Sequence, residues 1–159
     1  MKGFLTVGTI FALKKMIEIG GEKMRKFILV SHGTLADGVK NSVELISGKQ
    51  KNLISFSMKE GQGPVDLKQK IKSVLNENKR YEIVLISDFP GGSVNTLLME
   101  FLQYQNVYLV SGMNSMLVLS MILNQADIAT CIKAGIKAGK ATIKQIKIEQ
   151  NEQEDDFFD

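Results

Sequence analysis

Residues 26–38 have the sequence Lys26-Phe27-Ile28-Leu29-Val30-Ser31-His32-Gly33-Thr34-Leu35-Ala36-Asp37-Gly38. The apolar first part is rich in residues that favour strands, and the small and polar residues after it are typical of a turn. Beyond the turn, apolar residues recur at helical spacing from about Ala36 onward. The segment therefore predicts a strand that ends near His32 and leads through a tight turn into a helix. This is the repeating unit of an α/β sheet.

The same unit is repeated along the chain. Further strands are predicted at residues 53–56, 83–86 and 107–110, each followed by a helical pattern. The first two helices are expected to bury one apolar face each: Val39, Val43 and Ile46 in the first, and Val65, Ile71 and Leu75 in the second. This alternation predicts an open, mainly parallel four-stranded sheet with helices on both faces. Residues 141–148 are predicted to form a C-terminal edge strand.

One domain is expected to occupy residues 24–148, between two segments of different character. Residues 1–23 are an N-terminal extension that the domain pattern does not require. We expect translation to begin at Met24; an amphipathic helical extension is the alternative. Residues 149–159 are an acidic tail, in which six residues are acidic and none is basic. This composition is typical of disorder.

Composition excludes several function classes. The lysines and arginines are spread along the chain without an arginine-rich cluster, so nucleic-acid binding is not expected. No uninterrupted apolar run approaches the ~20 residues that a membrane span requires. The single cysteine, Cys131, excludes an internal disulfide and is expected to be a small buried side chain. We expect neither a metal ion nor a cofactor.

Polar residues that can carry chemistry follow three of the predicted strands. His32, the only histidine of the chain, follows Ser31 and precedes Gly33 at the end of the first strand. The third strand is followed by Asp88 and then by Gly91, Gly92 and Ser93, and the fourth by Gly112 and Asn114. Parallel strands place these loops on one edge of the sheet, where open α/β folds bind ligands. His32 and Asp88 are therefore expected to meet.

This set of residues favours phosphoryl transfer through a phosphohistidine. An aspartate that accepts a hydrogen bond from one imidazole nitrogen fixes the tautomer and leaves the other nitrogen with a free lone pair, as a nucleophile. Gly91 and Gly92 allow backbone amides to approach an anion closely. Ser93 can cap the next helix, whose N-terminus stabilises a phosphoryl group. Ser31 is a further candidate for binding that group, and Gly33 and Asn114 are candidates for the rim.

Taken together, the three motifs resemble the IIA component of mannose-family phosphotransferase-system permeases, over about residues 24–148. The motifs are His-Gly-x-Leu-Ala-x-Gly from His32, Asp-x-x-Gly-Gly-Ser from Asp88, and Gly-x-Asn from Gly112. The sequence departs from the family pattern at Val94 and Met116, where members commonly have proline. Both changes spare the chemical groups, so they bear on the subfamily and the sugar.

The resemblance implies a cytoplasmic phosphotransferase. His32 would accept a phosphoryl group from the phosphocarrier HPr and pass it to the IIB component, with Asp88 holding the imidazole and Ser93 at the phosphoryl pocket. The membrane components IIC and IID, which determine the sugar, would be indirect partners. The family is often homodimeric, with a C-terminal strand exchanged between subunits, and residues 141–148 fit that role.

Other functions stay open at this point. A phosphotransfer subunit of a dihydroxyacetone kinase is related, but typically has serine after the histidine and lacks the Asp-x-x-Gly-Gly-Ser loop. A phosphorylation-state sensor that docks on a regulator could use the same His32 chemistry. A response-regulator receiver would need an acidic pair in the first loop. The stretch from Gly135 to Thr142 has the wrong glycine spacing for a nucleotide phosphate loop and ends a predicted helix.

Overall fold

The computed structural model describes residues 24–61 and 63–147, which form alternating strands and helices. The strands are β1 (Arg25–His32), β2 (Leu53–Met58), β3 (Glu82–Ser87) and β4 (Val107–Ser111). The helices are α1 (Leu35–Ser47), α2 (Pro64–Glu77), α3 (Ser93–Met99), α4 (Ser115–Leu123) and α5 (Ile128–Ala141), with a short 3-10 helix, Glu100–Gln103, directly after α3. The predicted α/β fold is confirmed.

The four strands form one parallel sheet in the order β2-β1-β3-β4. The chain passes from β1 to β2 on one side and then crosses to β3 on the other side of β1. The order of the strands therefore reverses between β1 and β3. In open α/β sheets, this switch point opens a crevice at the carboxyl ends of the strands, where ligands bind.

Two apolar layers cover the sheet, because successive residues of a strand point to opposite faces. On β1, Phe27 and Leu29 pack in the layer that includes residues of α1, α4 and α5. Ile28 and Val30 pack in the other layer, with residues of α2, α3 and the 3-10 helix. All four side chains are almost completely buried, which explains the continuous apolar run of this strand.

Helices α4 and α5 pack closely at two glycines. A Cβ atom on Gly135 would lie 2.5 Å from Cγ of Met121, and one on Gly139 would lie 2.9 Å from Cβ of Leu117. Both glycines lie inside α5, so the structure gives this stretch a packing role. Cys131 of the same helix is fully buried, as expected. Asp127 caps α5 as its position predicts, since its carboxylate accepts a hydrogen bond from the Thr130 amide at 3.0 Å.

Three sequence-based expectations need correction or restriction. Ile46 and Val65 are predicted on buried helix faces, but they are 67% and 65% exposed. Ile46 lies one position off the buried stripe of α1, and Val65 lies in the first turn of α2. Residue Ala141 ends α5 instead of beginning a strand, and residues 142–147 form no strand within the single chain. A strand exchanged with a second copy would be unpaired in one chain, so the exchange stays a prediction.

The predicted N-terminal extension and acidic tail lie outside the described residues, and the predicted domain limits stay a prediction. Across the described residues, no helix has both the length and the apolar character that crossing a membrane requires.

Candidate functional site

His32 lies at the switch point of the sheet, as the last residue of β1. Its neighbour in the sheet is β3, which ends at Ser87, and Asp88 follows directly. The side chain of His32 is 37% exposed, whereas that of Asp88 is 6% exposed. A partly exposed imidazole therefore lies next to a buried carboxylate.

Asp88 accepts three hydrogen bonds. Its Oδ2 atom accepts from the backbone amide of His32 at 2.9 Å and contacts Nδ1 of the same residue at 2.6 Å. Its Oδ1 atom accepts from the Phe89 amide at 3.0 Å. Burial by itself would raise the pKa of Asp88, but the hydrogen bonds from His32 and Phe89 outweigh it and hold the pKa below the ordinary aspartate value. Asp88 is therefore ionised at neutral pH.

The ionised carboxylate fixes the state of the His32 imidazole. A carboxylate can only accept hydrogen bonds, so Nδ1 must carry the proton. Nε2 of the neutral ring then has the free lone pair, and it lies 2.8 Å from Oγ of Ser93, whose hydroxyl can donate to it. The predicted encounter of His32, Asp88 and Ser93 is thus present, across 56 and 61 residues of sequence.

The loop from Asp88 to Ser93 owes its shape to its glycines. Gly91 has φ +79°, a left-handed conformation that other residues rarely adopt. A Cβ atom on Gly92, immediately before α3, would lie 2.6 Å from Cε2 of Phe89, so a side chain there would displace the phenyl ring. The loop can therefore fold back over β1 and present the first turn of α3 to His32.

Asn95 connects this loop to the end of β3 through hydrogen bonds. The sequence motifs do not include it in the site. Its buried side chain accepts a hydrogen bond from the Gly91 amide at 3.2 Å and donates to Oγ of Ser87 at 2.9 Å. The Ser87 hydroxyl in turn donates to Oγ of Ser111 at 2.8 Å. In the sequence, only the position of Asn95, two residues after Ser93, points to this function, because its partners are a loop amide and the last residue of β3.

Replacing Asn95 by alanine is expected to destabilise the fold by about 1–3 kcal/mol, since the substitution leaves the Gly91 amide and the Ser87 hydroxyl without their buried partner. Urea denaturation of the wild-type protein and the variant measures the difference. Thr96→Ala, one residue further along α3, is the matched control. An equal effect of both substitutions would show that Asn95 does not support the loop.

Three of the predicted site residues have other contacts. Ser31 is fully buried, and its hydroxyl oxygen accepts a hydrogen bond from the Ala36 amide at 2.8 Å, so we leave it out of the phosphoryl pocket. Gly33 has φ +56°, which suits the turn after β1, and its amide donates to the carbonyl of Met58, at the end of β2, at 3.0 Å. Asn114 caps α4 by accepting from the Leu117 amide at 3.0 Å.

A second carboxylate, Asp37, lies in the first turn of α1. It accepts hydrogen bonds from the hydroxyl groups of Ser55 at 2.6 Å and Ser57 at 2.8 Å, both on β2. These bonds lower the pKa of Asp37 below the ordinary value. The three side chains line part of a cavity of about 190 Å³ along the edge of β2. Asp37 thus ties α1 to the edge strand.

The contribution of Asp37 to stability is expected to depend on pH. Because its pKa is lower in the folded state, the ionised form stabilises the protein above the unfolded pKa of about 3.9, and this is lost as pH falls through the folded value. Asp37→Asn should lower the free energy of unfolding at pH 7 by less than about 1 kcal/mol, since the group is exposed. The difference should begin to narrow as pH falls below about 4. A constant difference from pH 7 to pH 3 would contradict this.

Comparison with known families identifies the family and supports the fold. The family model for the PTS system fructose IIA component (EIIA-man) matches residues 26–135, which include every site residue described above. The chain belongs to this family. Its members are phosphotransfer components of sugar phosphotransferase systems, and the phosphotransferase assignment made from the sequence is confirmed at that level.

Solved structures of the family share the architecture. A candidate phosphoenolpyruvate-dependent sugar phosphotransferase system (PTS) permease from Klebsiella pneumoniae is 31% identical, with a TM-score of 0.69 over 78% of this chain and 92% of that chain. The mannose/sorbose specific IIA subunit from Enterococcus faecalis is 20% identical, with a TM-score of 0.74 over 80% of this chain and 98% of that chain. The second similarity shows the fold alone.

A third structure is the PTS IIA protein associated with the fucose utilization operon of Streptococcus pneumoniae. It is 21% identical, with a TM-score of 0.67 over 78% of this chain and 95% of that chain. The comparison with curated proteins gave no match. The chain is thus a sugar phosphotransferase IIA component that shares its fold with proteins named for different sugars.

Proposed function

We propose that this IIA component carries a phosphoryl group on Nε2 of His32, receiving it from HPr and passing it to the IIB component. The observation that supports this most strongly is the hydrogen bonding of the imidazole. Asp88 accepts from Nδ1 at 2.6 Å, and Nε2 faces the Ser93 hydroxyl at 2.8 Å. The nitrogen with the lone pair is therefore the one that faces the start of α3.

The transfer step needs no proton to leave the enzyme. The Nε2 lone pair attacks phosphorus, the bond between phosphorus and the donor atom breaks, and its electron pair stays with the donor. The imidazole becomes cationic while Nδ1 keeps its proton, and Asp88 stabilises that charge through its short hydrogen bond. In transfer to IIB, an acceptor nucleophile takes the phosphoryl group and Nε2 regains its lone pair.

Ser93 and the loop before it provide the surroundings of the phosphoryl group. When Nε2 bonds phosphorus, the Ser93 hydroxyl can no longer donate to that nitrogen and can turn to a phosphoryl oxygen. The first amides of a helix have no partner within the helix. Those at the start of α3 can donate to the same oxygens. Gly91 and Gly92 themselves place no side chain in front of these amides.

The partners and location follow from the same proposal. HPr and IIB would dock on the rim where His32 is exposed, in the cytoplasm, and the membrane components IIC and IID would be reached only through IIB. We also propose a homodimer in which the segment that follows α5 pairs with the second copy. Ile143 and Ile146, 80% and 76% exposed, are apolar side chains that such pairing would cover.

Stepwise reconstitution tests the proposed function. The protein is incubated with phosphoenolpyruvate, enzyme I and HPr, and intact-mass spectrometry follows the phosphoryl group. One acid-labile phosphoryl group is expected, and adding the IIB component should remove it. Omitting HPr is the control and should prevent labelling. An unlabelled protein in the complete mixture would contradict the proposal.

A further inference from the structure

Phe89 lies directly on the reacting ring, and neither the sequence motifs nor the proposed transfer step assigns it a function. Its ring is stacked on the His32 imidazole, with 5.4 Å between the ring centroids and 15° between the planes. The side chain is about half exposed, so packing in the core does not account for its position.

The backbone holds this stack in place from two sides. The Phe89 amide donates to Oδ1 of Asp88 at 3.0 Å, which ties the residue to the carboxylate that holds His32. The phenyl ring also lies against Gly92, where a Cβ atom would be 2.6 Å from Cε2 and 2.8 Å from Cζ. The absence of a side chain at Gly92 therefore leaves the space that Phe89 fills.

We propose that Phe89 is a positioning residue for phosphoryl transfer. This inference rests on the proposed function. In the free protein, Asp88 and Ser93 hold the imidazole at its two nitrogens. Once Nε2 bonds phosphorus, the Ser93 hydroxyl loses that contact, and Asp88 and the Phe89 ring are the contacts that still orient the imidazole.

The stack also favours the charged form of the imidazole. Attack by Nε2 makes the ring cationic, and the face of an aromatic ring within about 6 Å attracts a cation. The separation of 5.4 Å satisfies this condition. This attraction is stronger for the cationic ring than for the neutral one. Phe89 therefore stabilises the transition state, in which positive charge develops on the imidazole, more than it stabilises the unphosphorylated ground state.

Phe89→Leu removes the aromatic face and keeps an apolar side chain, whereas Phe89→Tyr keeps the aromatic ring. The two variants therefore distinguish the contribution of the aromatic face to the rate from that of apolar volume. Both variants are assayed in single turnovers, with phosphorylated HPr and with phosphoramidate, a small donor that releases ammonia and needs no docking surface. Phe89→Leu should slow both reactions by roughly two- to ten-fold, and Phe89→Tyr should restore the wild-type rate. Tyr104→Leu is the matched control. Tyr104 precedes the amino end of β4, whereas His32 and Phe89 lie at the carboxyl ends of the strands.

Nitrogen-15 NMR measures the chemical shifts of the two His32 ring nitrogens, which a change in the stability of the folded protein alone would not alter. His32 is the only histidine, so its two ring signals need no assignment by mutation. In Phe89→Leu, the signals of Nδ1 and Nε2 should move towards each other, as the ring loses its fixed orientation to Asp88. Gly92→Ala, which displaces the phenyl ring, should have a similar effect and add little in the Phe89→Leu background.

Each outcome bears on a definite claim. Wild-type rates and unchanged NMR signals in Phe89→Leu would overturn the inference and leave the proposed function intact. Slower transfer from HPr alone, with phosphoramidate unaffected, would make Phe89 a docking contact and overturn its positioning function. A wild-type protein that accepts a phosphoryl group from neither donor would overturn the proposed function, and this inference with it.

Discussion

The His32→Ala variant is expected to accept no phosphoryl group from phosphorylated HPr. The chain contains no second histidine that could replace His32, and the other groups of the site, Asp88 and the Ser93 hydroxyl, are placed to assist the imidazole. Intact-mass spectrometry after incubation with phosphoenolpyruvate, enzyme I and HPr measures the loss, which should be complete.

Stability serves as the control for this variant. His32 is partly exposed at the end of β1, so its removal should change the thermal midpoint by only a few degrees. A folded His32→Ala protein that still carries a phosphoryl group at the wild-type level would place the acceptor on another residue.

Asp88→Asn is expected to slow phosphoryl transfer by roughly one to three orders of magnitude, the scale at which acid–base partners contribute. The Asp88 carboxylate accepts hydrogen bonds from the backbone amides of His32 and Phe89. It also accepts from Nδ1 of His32 in the tautomer that leaves the Nε2 lone pair free. An amide can offer only one oxygen. If its NH2 group faces His32, Nδ1 becomes the acceptor and the lone pair of Nε2 is lost. In either orientation, the negative charge that stabilises the cationic ring is lost.

Asp37→Asn is the matched control for this substitution. Like Asp88, Asp37 is a carboxylate whose hydrogen bonds lower its pKa. Its partners, however, are two serine hydroxyls on β2, away from His32. Single-turnover rates should fall in Asp88→Asn and stay at the wild-type level in Asp37→Asn. Equal rates in all three proteins would reduce Asp88 to a turn residue.

Part of the site was predictable because it depends on the ends of strands. Apolar runs locate the strands, parallel pairing places their carboxyl ends on one edge, and residues next to those ends must then lie close together. On this basis the sequence predicts that His32 and Asp88 meet. Ser93 followed from its position at the start of a helix.

Other parts depend on side-chain directions that spacing does not determine. Ser31 and His32 are adjacent in sequence, but side chains of successive strand residues point to opposite faces. Ser31 is therefore buried under α1 while His32 faces the crevice. Asn95 and Phe89 act through contacts within a loop whose path is set by Gly91 and Gly92. Residue spacing does not predict such contacts, because they depend on the three-dimensional path of the loop.

The C-terminal segment shows a further limit of periodicity. Ile143 and Ile146 supply an apolar pattern, but within one chain their side chains remain exposed. Helix α5 continues to Ala141 because Gly135 and Gly139 allow it to pack closely on α4. The sequence pattern indicates apolar residues that need a partner, but it does not reveal whether that partner is the same chain or a second copy.

The central claim concerns one bond, between phosphorus and Nε2 of His32. Phosphorus-31 and nitrogen-15 NMR of the uniformly labelled, phosphorylated protein tests it directly, because the single histidine gives one pair of ring nitrogens. A coupling of phosphorus to Nε2, with Nδ1 still protonated against Asp88, is the expected result. Coupling to Nδ1, or a phosphorus signal without coupling to either nitrogen of His32, would contradict the account.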